Sequence, residues 1–97
     1  MTDAGRKWVQ LFEREGWFRF GKLDPNADLG NVGVSYLGGG PTNMSLANVV
    51  EAADEFLIFE YGFDAASPDS GGQSGRAKVW IPWENIQYVF RTTSAGA

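Results

Sequence analysis

The spacing of hydrophobic positions along this 97-residue chain changes from segment to segment, and each spacing predicts a different element. Over residues 3–15, Trp8, Leu11 and Phe12 recur at i, i+3 and i+4, while Arg6, Lys7, Glu13 and Arg14 fall mostly elsewhere. That is the apolar stripe of an amphipathic helix. Thr2 or Asp3 supplies an N-cap, and Gly16 can take the left-handed conformation that ends helices. Trp17–Lys22 then alternates, with Phe18 and Phe20 on one side and Trp17 and Arg19 on the other, which predicts a short strand. LDPNADLGN follows, with turn chemistry at Pro25, Asn26 and Gly30.

In NVGVSYL, Val32, Val34 and Tyr36 share one face, and Gly38-Gly39-Gly40-Pro41 breaks the run. SLANVVEAADEF, covering residues 45–53 and a little beyond, reads as a strand or as one helix, because Leu46, Val49, Val50 and Ala53 also fit a 3.6-residue period. FLIFEYGF is apolar on both faces, Phe56 and Ile58 against Leu57, Phe59 and Tyr61, which predicts a central strand. After the turn-rich AASPDSGGQSG, the run KVWIP ends at Pro82, which cannot donate to a ladder. Glu84-Asn85 then gives a short turn before Ile86–Arg91. The runs on either side of AASPDSGGQSG are expected to lie side by side, with Val79, Ile81 and Ile86 pointing inward. The fold class expected is mainly β (α+β by count). It is a small, strongly bent antiparallel sheet or an SH3/Sm-like barrel of about five strands with an N-terminal amphipathic α-helix. One domain spans residues 1–92, and residues 93–97 form a disordered tail.

Composition narrows the chemistry. The chain has no Cys and no His, so disulfides, thiol nucleophiles, zinc knuckles and His-based triads are excluded within it. No catalytic spacing of carboxylates, Lys or Tyr stands out, and the expectation is a non-enzyme with no cofactor and no metal site. The charged N-terminus lacks the apolar region of a secretory signal, and no stretch approaches the length of a membrane helix. A soluble cytoplasmic protein without a membrane partner is expected. The net charge of −4 is segregated: residues 1–22 hold five Lys/Arg and three acids, residues 23–70 eight acids and no base, residues 71–97 three bases and one acid. The acidic middle disfavours nucleic acid unless the basic ends fold into one patch.

The order of helix, strand, glycine turn, bent strand pair with an acid at the bend, and a last strand entered through a one-turn corner resembles the Sm-like small barrel of the Hfq and LSm type. On that resemblance NVGVSYL corresponds to the first barrel strand, MSLANVVEAADEF to the second with Asp54 at its bend, and FLIFEYGF to the third. AKVWIP corresponds to the fourth, and WENIQYVF to the corner and fifth. The match covers residues 1–15 and 31–91 and leaves WFRFGKLDPNADLG as an insert. It implies a barrel and an RNA-binding role. The chain departs from the family pattern at Asn48-Val49-Val50, at Glu55-Phe56 and at Pro82-Trp83-Glu84.

Four groups are candidate sites. Trp80, Trp83, Tyr88, Phe90 and Arg91 make an aromatic last hairpin, whose edge is expected to bind a second copy of the chain or another protein. Arg6, Lys7, Arg76 and Lys78 are candidate anion or RNA contacts, if the helix lies beside that hairpin. LGGGPT, residues 37–42, reads as a hairpin turn, since it lacks the Gly-Lys-Ser/Thr ending of a phosphate loop. Asp54, Glu55, Glu60, Asp64 and Asp69 read as a solvated acidic face that discourages edge pairing.

Overall fold

The computed structural model describes residues 1–38, 43–63, 72 and 74–93. Helix α1 (Asp3–Arg14) is closed at both ends by local chemistry. Thr2 is the N-cap, its side-chain oxygen accepting from the Gly5 amide at 3.0 Å. At the other end Gly16 adopts φ +81°. Its amide donates to Glu13 O at 3.1 Å, and the Trp17 amide donates to Phe12 O at 2.9 Å. These two bonds form a Schellman motif, completed by contact between the Trp17 and Phe12 rings, 6.3 Å apart.

Two dipeptide strands, β1 (Phe18–Arg19) and β2 (Lys22–Leu23), form a hairpin around Phe20-Gly21. Both loop residues have positive φ, 55° and 76°, as a type I′ turn requires. The insert unmatched by the Sm-like pattern is therefore an ordered part of the fold. Phe18 is 3% exposed and packs on Phe12 at 5.0 Å, and Leu29 is also buried. Phe20 does not share the Phe18 face as strict alternation predicted. The turn carries it to the hairpin tip, where it is 86% exposed.

The remaining strands are β3 (Val32–Tyr36), β4 (Asn43–Ser45), β5 (Val49–Ala52), β6 (Phe56–Phe63), β7 (Gly75–Pro82) and β8 (Ile86–Arg91). They form two antiparallel three-stranded sheets, ordered β4-β3-β8 and β5-β6-β7. β6 is central, and β7 pairs along its whole length from Phe56↔Pro82 to Phe63↔Gly75. The two apolar runs lie side by side as expected. Residues 45–53, readable as strand or helix, are neither throughout: a single 3-10 turn, Leu46–Asn48, separates β4 from β5. A second such turn, Trp83–Asn85, separates β7 from β8. Each turn carries the chain from one sheet to the other, and each opens with a wholly buried side chain, Leu46 or Trp83. The predicted last hairpin does not form, because β7 and β8 belong to different sheets.

The fold is thus mainly β with one helix. Among the described residues no ladder joins the two sheets into a closed barrel. The core lies between them: Val32, Val34, Tyr36, Leu46, Leu57, Phe59, Ile81, Trp83 and Ile86 are buried, with Val79 packed against them. α1 covers one end through Val9 and Phe12, touching β1 and the Trp83–Asn85 turn. Its start is tied to the β5–β6 bend, where the Thr2 amide donates to Asp54 O at 3.1 Å. No helix among the described residues is long and apolar enough to cross a membrane. Residues 94–97 of the expected tail, and Gly39–Thr42 of the glycine-rich turn, lie outside the described residues.

Candidate functional site

β7 is the outer strand of its sheet. Its alternation puts Arg76, Lys78 and Trp80 in one exposed row, while Val79 and Ile81 go inward. Trp80 is 52% exposed and stands opposite the buried Ile58 in the register. The Lys78 ammonium lies 5.2 Å from the Trp80 ring centre, a cation–π contact. Arg76 pairs with Glu60 across the strands at 2.6 Å. Among the described residues the side of β7 away from β6 has no ladder partner. Such a row of free backbone donors and acceptors is a template for another strand.

β8 is the outer strand of the other sheet. Tyr88 is 55% exposed, its ring tilted against that of Phe90 with centres 6.0 Å apart. Phe90 is half-buried against Gly33, its register partner, so closely that a Cβ at Gly33 would have no room. This is an aromatic ring covering a strand glycine. Tyr88 stands opposite Ser35, which is buried, in the register. Arg91 is exposed at the strand end.

The five residues expected to form one aromatic edge are therefore divided three ways. Trp80 is on the β7 edge, and Tyr88, Phe90 and Arg91 are on β8 in the other sheet. Trp83 is a core residue at 0% exposure, with its Nε1 donating to Ala53 O at 2.9 Å. The reason lies in the 3-10 turn. At about three residues per turn it rotates successive side chains by roughly 120°, so Trp83 leaves the two-residue alternation that governs Trp80.

The four cations stand on two elements, Arg6 and Lys7 on α1 and Arg76 and Lys78 on β7. Arg6 is ion-paired with Asp3 on its own helix, and Arg76 is paired with Glu60. α1 touches the Trp83–Asn85 turn, whereas Arg76 lies six residues before Pro82, about 20 Å away along the strand. Asp54 and Glu55 are exposed at the β5–β6 bend, and Asp64 and Asp69 fall outside the described residues. Among the described residues no three His, Cys, Asp or Glu side chains are placed to hold a metal ion. Burial pushes the Tyr36 phenol above its ordinary 10.0, and the nearby Tyr61 pushes it further.

One feature had no counterpart in the sequence-based expectations. The β1–β2 hairpin stands beside β5 and leaves a groove of about 340 Å³ lined by Phe18, Gly21, Lys22, Leu23, Val49, Val50, Glu51 and Ala52. Val50 is 52% exposed at a register shift between Val49 and Glu51, a β-bulge. At the tip, Phe20 holds a left-handed backbone conformation that costs a bulky residue about 1–2 kcal/mol. Phe20-Gly21 between alternating residues was the available signal, since a glycine in that place permits a two-residue turn.

The geometry defines a small two-sheet β-domain with an N-terminal helix, two exposed outer strands bearing aromatics, and a grooved hairpin. Compared with known protein families, curated proteins and solved structures, the chain matches none.

Proposed function

We propose that this chain is a non-enzymatic module with an SH3/Sm-like small-barrel arrangement, and that it works by adding strands at its outer edges, to a second copy or to another protein. The strand sequence supports the barrel reading: β8-β3-β4 and β5-β6-β7 are linked in chain order through the two 3-10 corners, as a five-strand barrel split at its corners would be. The observation that carries the functional reading is the β7 edge. Eight residues long, it has no ladder partner on its far side among the described residues and displays Trp80 beside Lys78. Natural edge strands of this length are usually covered or interrupted. Half-exposed tryptophan is the residue type most often found at the centre of a protein contact. β8, which also lacks a second ladder partner among the described residues, carries Tyr88, so one copy's β7 can meet the β8 of the next in a head-to-tail contact.

Native mass in solution tests this. The wild-type particle is expected well above the chain mass of 10.6 kDa, with Trp80→Asp and Tyr88→Asp each lowering it. If both substitutions leave the native mass and every captured partner unchanged, edge pairing is refuted.

A further inference from the structure

The grooved hairpin presents two unfilled needs on one face. The Phe20 ring is 86% exposed and touches only the Arg19 guanidinium, 5.4 Å from its centre, among the aromatic and cation contacts of the described residues. The turn is held in place by a hydrogen bond from the Gly21 amide to Glu13 Oε2 at 3.2 Å. The groove beside it is lined by the apolar Phe18, Leu23, Val49 and Ala52, together with Lys22 from β2 and Glu51 from β5. Among the described residues neither Lys22 nor Glu51 has an ion-pair partner. A cavity of about 150 Å³ holds a benzene-sized ring, so a groove of about 340 Å³ has room for a phenyl side chain and its backbone.

We infer that a second copy of this chain docks on this face across a two-fold axis. Each Phe20 enters the groove of the other copy, and each Lys22 meets the other copy's Glu51. The arrangement is self-complementary because ring, groove, cation and anion all lie on one contiguous patch, as an isologous contact demands. Charge complementarity selects the occupant: a partner must bring an anion to Lys22 and a cation to Glu51 while inserting an apolar ring, and this face of the chain carries all three. The contact is separate from the β7 and β8 edges.

The test uses the full chain carrying Trp80→Asp, which removes the β7 edge from the comparison, and measures mass by sedimentation. A particle of twice 10.6 kDa is expected. Phe20→Asn, which suits the left-handed turn, is expected to leave the helix and sheet signals intact and to weaken dimerisation about 30-fold or more, the loss typical of removing a buried aromatic anchor. Lys22→Glu and Glu51→Lys each set like charges against each other twice and are expected to be monomeric alone. An equimolar mixture of the two is expected to regain the dimer, because both cross-pairs become opposite in sign. A monomeric Trp80→Asp chain, a Phe20→Asn variant as dimeric as its parent, or a mixture that stays at 10.6 kDa overturns the inference. So does a chain that remains monomeric while its groove takes up a foreign apolar peptide.

Discussion

Replacing Gly5 with alanine sets two effects of opposite sign against each other. In a helix interior alanine is favoured over glycine by about 1 kcal/mol, and an exposed site would be stabilised by that amount. Gly5 is buried under the start of α1. A Cβ there would lie 2.7 Å from Met1 Cγ and 2.8 Å from both Cδ1 and Nε1 of Trp83. Met1 is flexible and 41% exposed and can move aside. Trp83 cannot: it is wholly buried, and its Nε1 holds Ala53 O at 2.9 Å. Ordinary carbon contacts need 3.5–4.0 Å, so indole and helix must separate by about 0.7 Å or more. Overpacking of that kind costs about 1–3 kcal/mol, and a weakened buried N–H bond costs about 1 kcal/mol more.

The steric cost exceeds the propensity gain, and Gly5→Ala is expected to destabilise the fold by about 2 kcal/mol. For a domain of this size that lowers the melting temperature by about 10 °C. Urea unfolding followed by tryptophan fluorescence, with a thermal melt by circular dichroism, measures it. The same substitution made on Trp83→Phe, where no indole N–H stands in the way, is expected to be neutral or stabilising relative to that parent, a coupling of more than 1 kcal/mol. A Gly5→Ala chain with a raised unfolding midpoint would show that the helix end yields more easily than this packing implies.

Two further outcomes follow from local chemistry. Thr2→Ala removes the cap that accepts from the Gly5 amide and is expected to lower stability by about 1 kcal/mol in urea unfolding, with native mass unchanged. For Tyr36, the folded chain holds the neutral phenol to higher pH than the unfolded chain does, because burial and Tyr61 raise its pKa above 10.0. Its contribution is complete below pH 10 and is lost as pH rises through the folded value. Unfolding measured across that range is expected to show a shallower alkaline loss in Tyr36→Phe than in wild type, and equal slopes would refute the assignment.

The parts of the fold that could be read in the sequence are those governed by one local rule. The helix needed Thr2, a 3.6-residue stripe and Gly16, and all three lie within one window. β6 and β7 announced themselves by apolar runs on either side of a turn-rich loop. The alternation of Val32, Val34 and Tyr36 matched the face that enters the core. What escaped were the places where the period changes inside a run. Phe20 was assigned to the Phe18 face because alternation has no way to register a two-residue turn whose first position is a phenylalanine at φ 55°. Leu46 fits strand and helix alike in the sequence, and Trp83 groups there with the aromatic edge, although each opens a 3-10 turn. The two corners share a pattern that was available: Leu46-Ala47-Asn48-Val49 and Trp83-Glu84-Asn85-Ile86 both run apolar, any, Asn, β-branched. Asn85 uses its side chain to donate to Leu37 O at 3.2 Å, binding its corner to the end of β3.

Trp83 thus belongs to the core at the corner between β7 and β8, away from the surface row that carries Trp80. β7 and β8 are outer strands of two different sheets, and the chain between them is the Trp83–Asn85 turn. In that turn the indole seats between α1 and the β5–β6 bend, against Gly5 on one side and Ala53 O on the other. Core and edge thus answer to different residues. Loss of the Trp80 side chain is expected to leave the core intact, because the residue is half-exposed and lies outside the core cluster. Loss of the Trp83 side chain opens the core where helix and both sheets converge, so stability falls. Two tryptophans three positions apart, on either side of Pro82 and Ile81, act through different physics because a single helical turn of backbone intervenes between strand and strand.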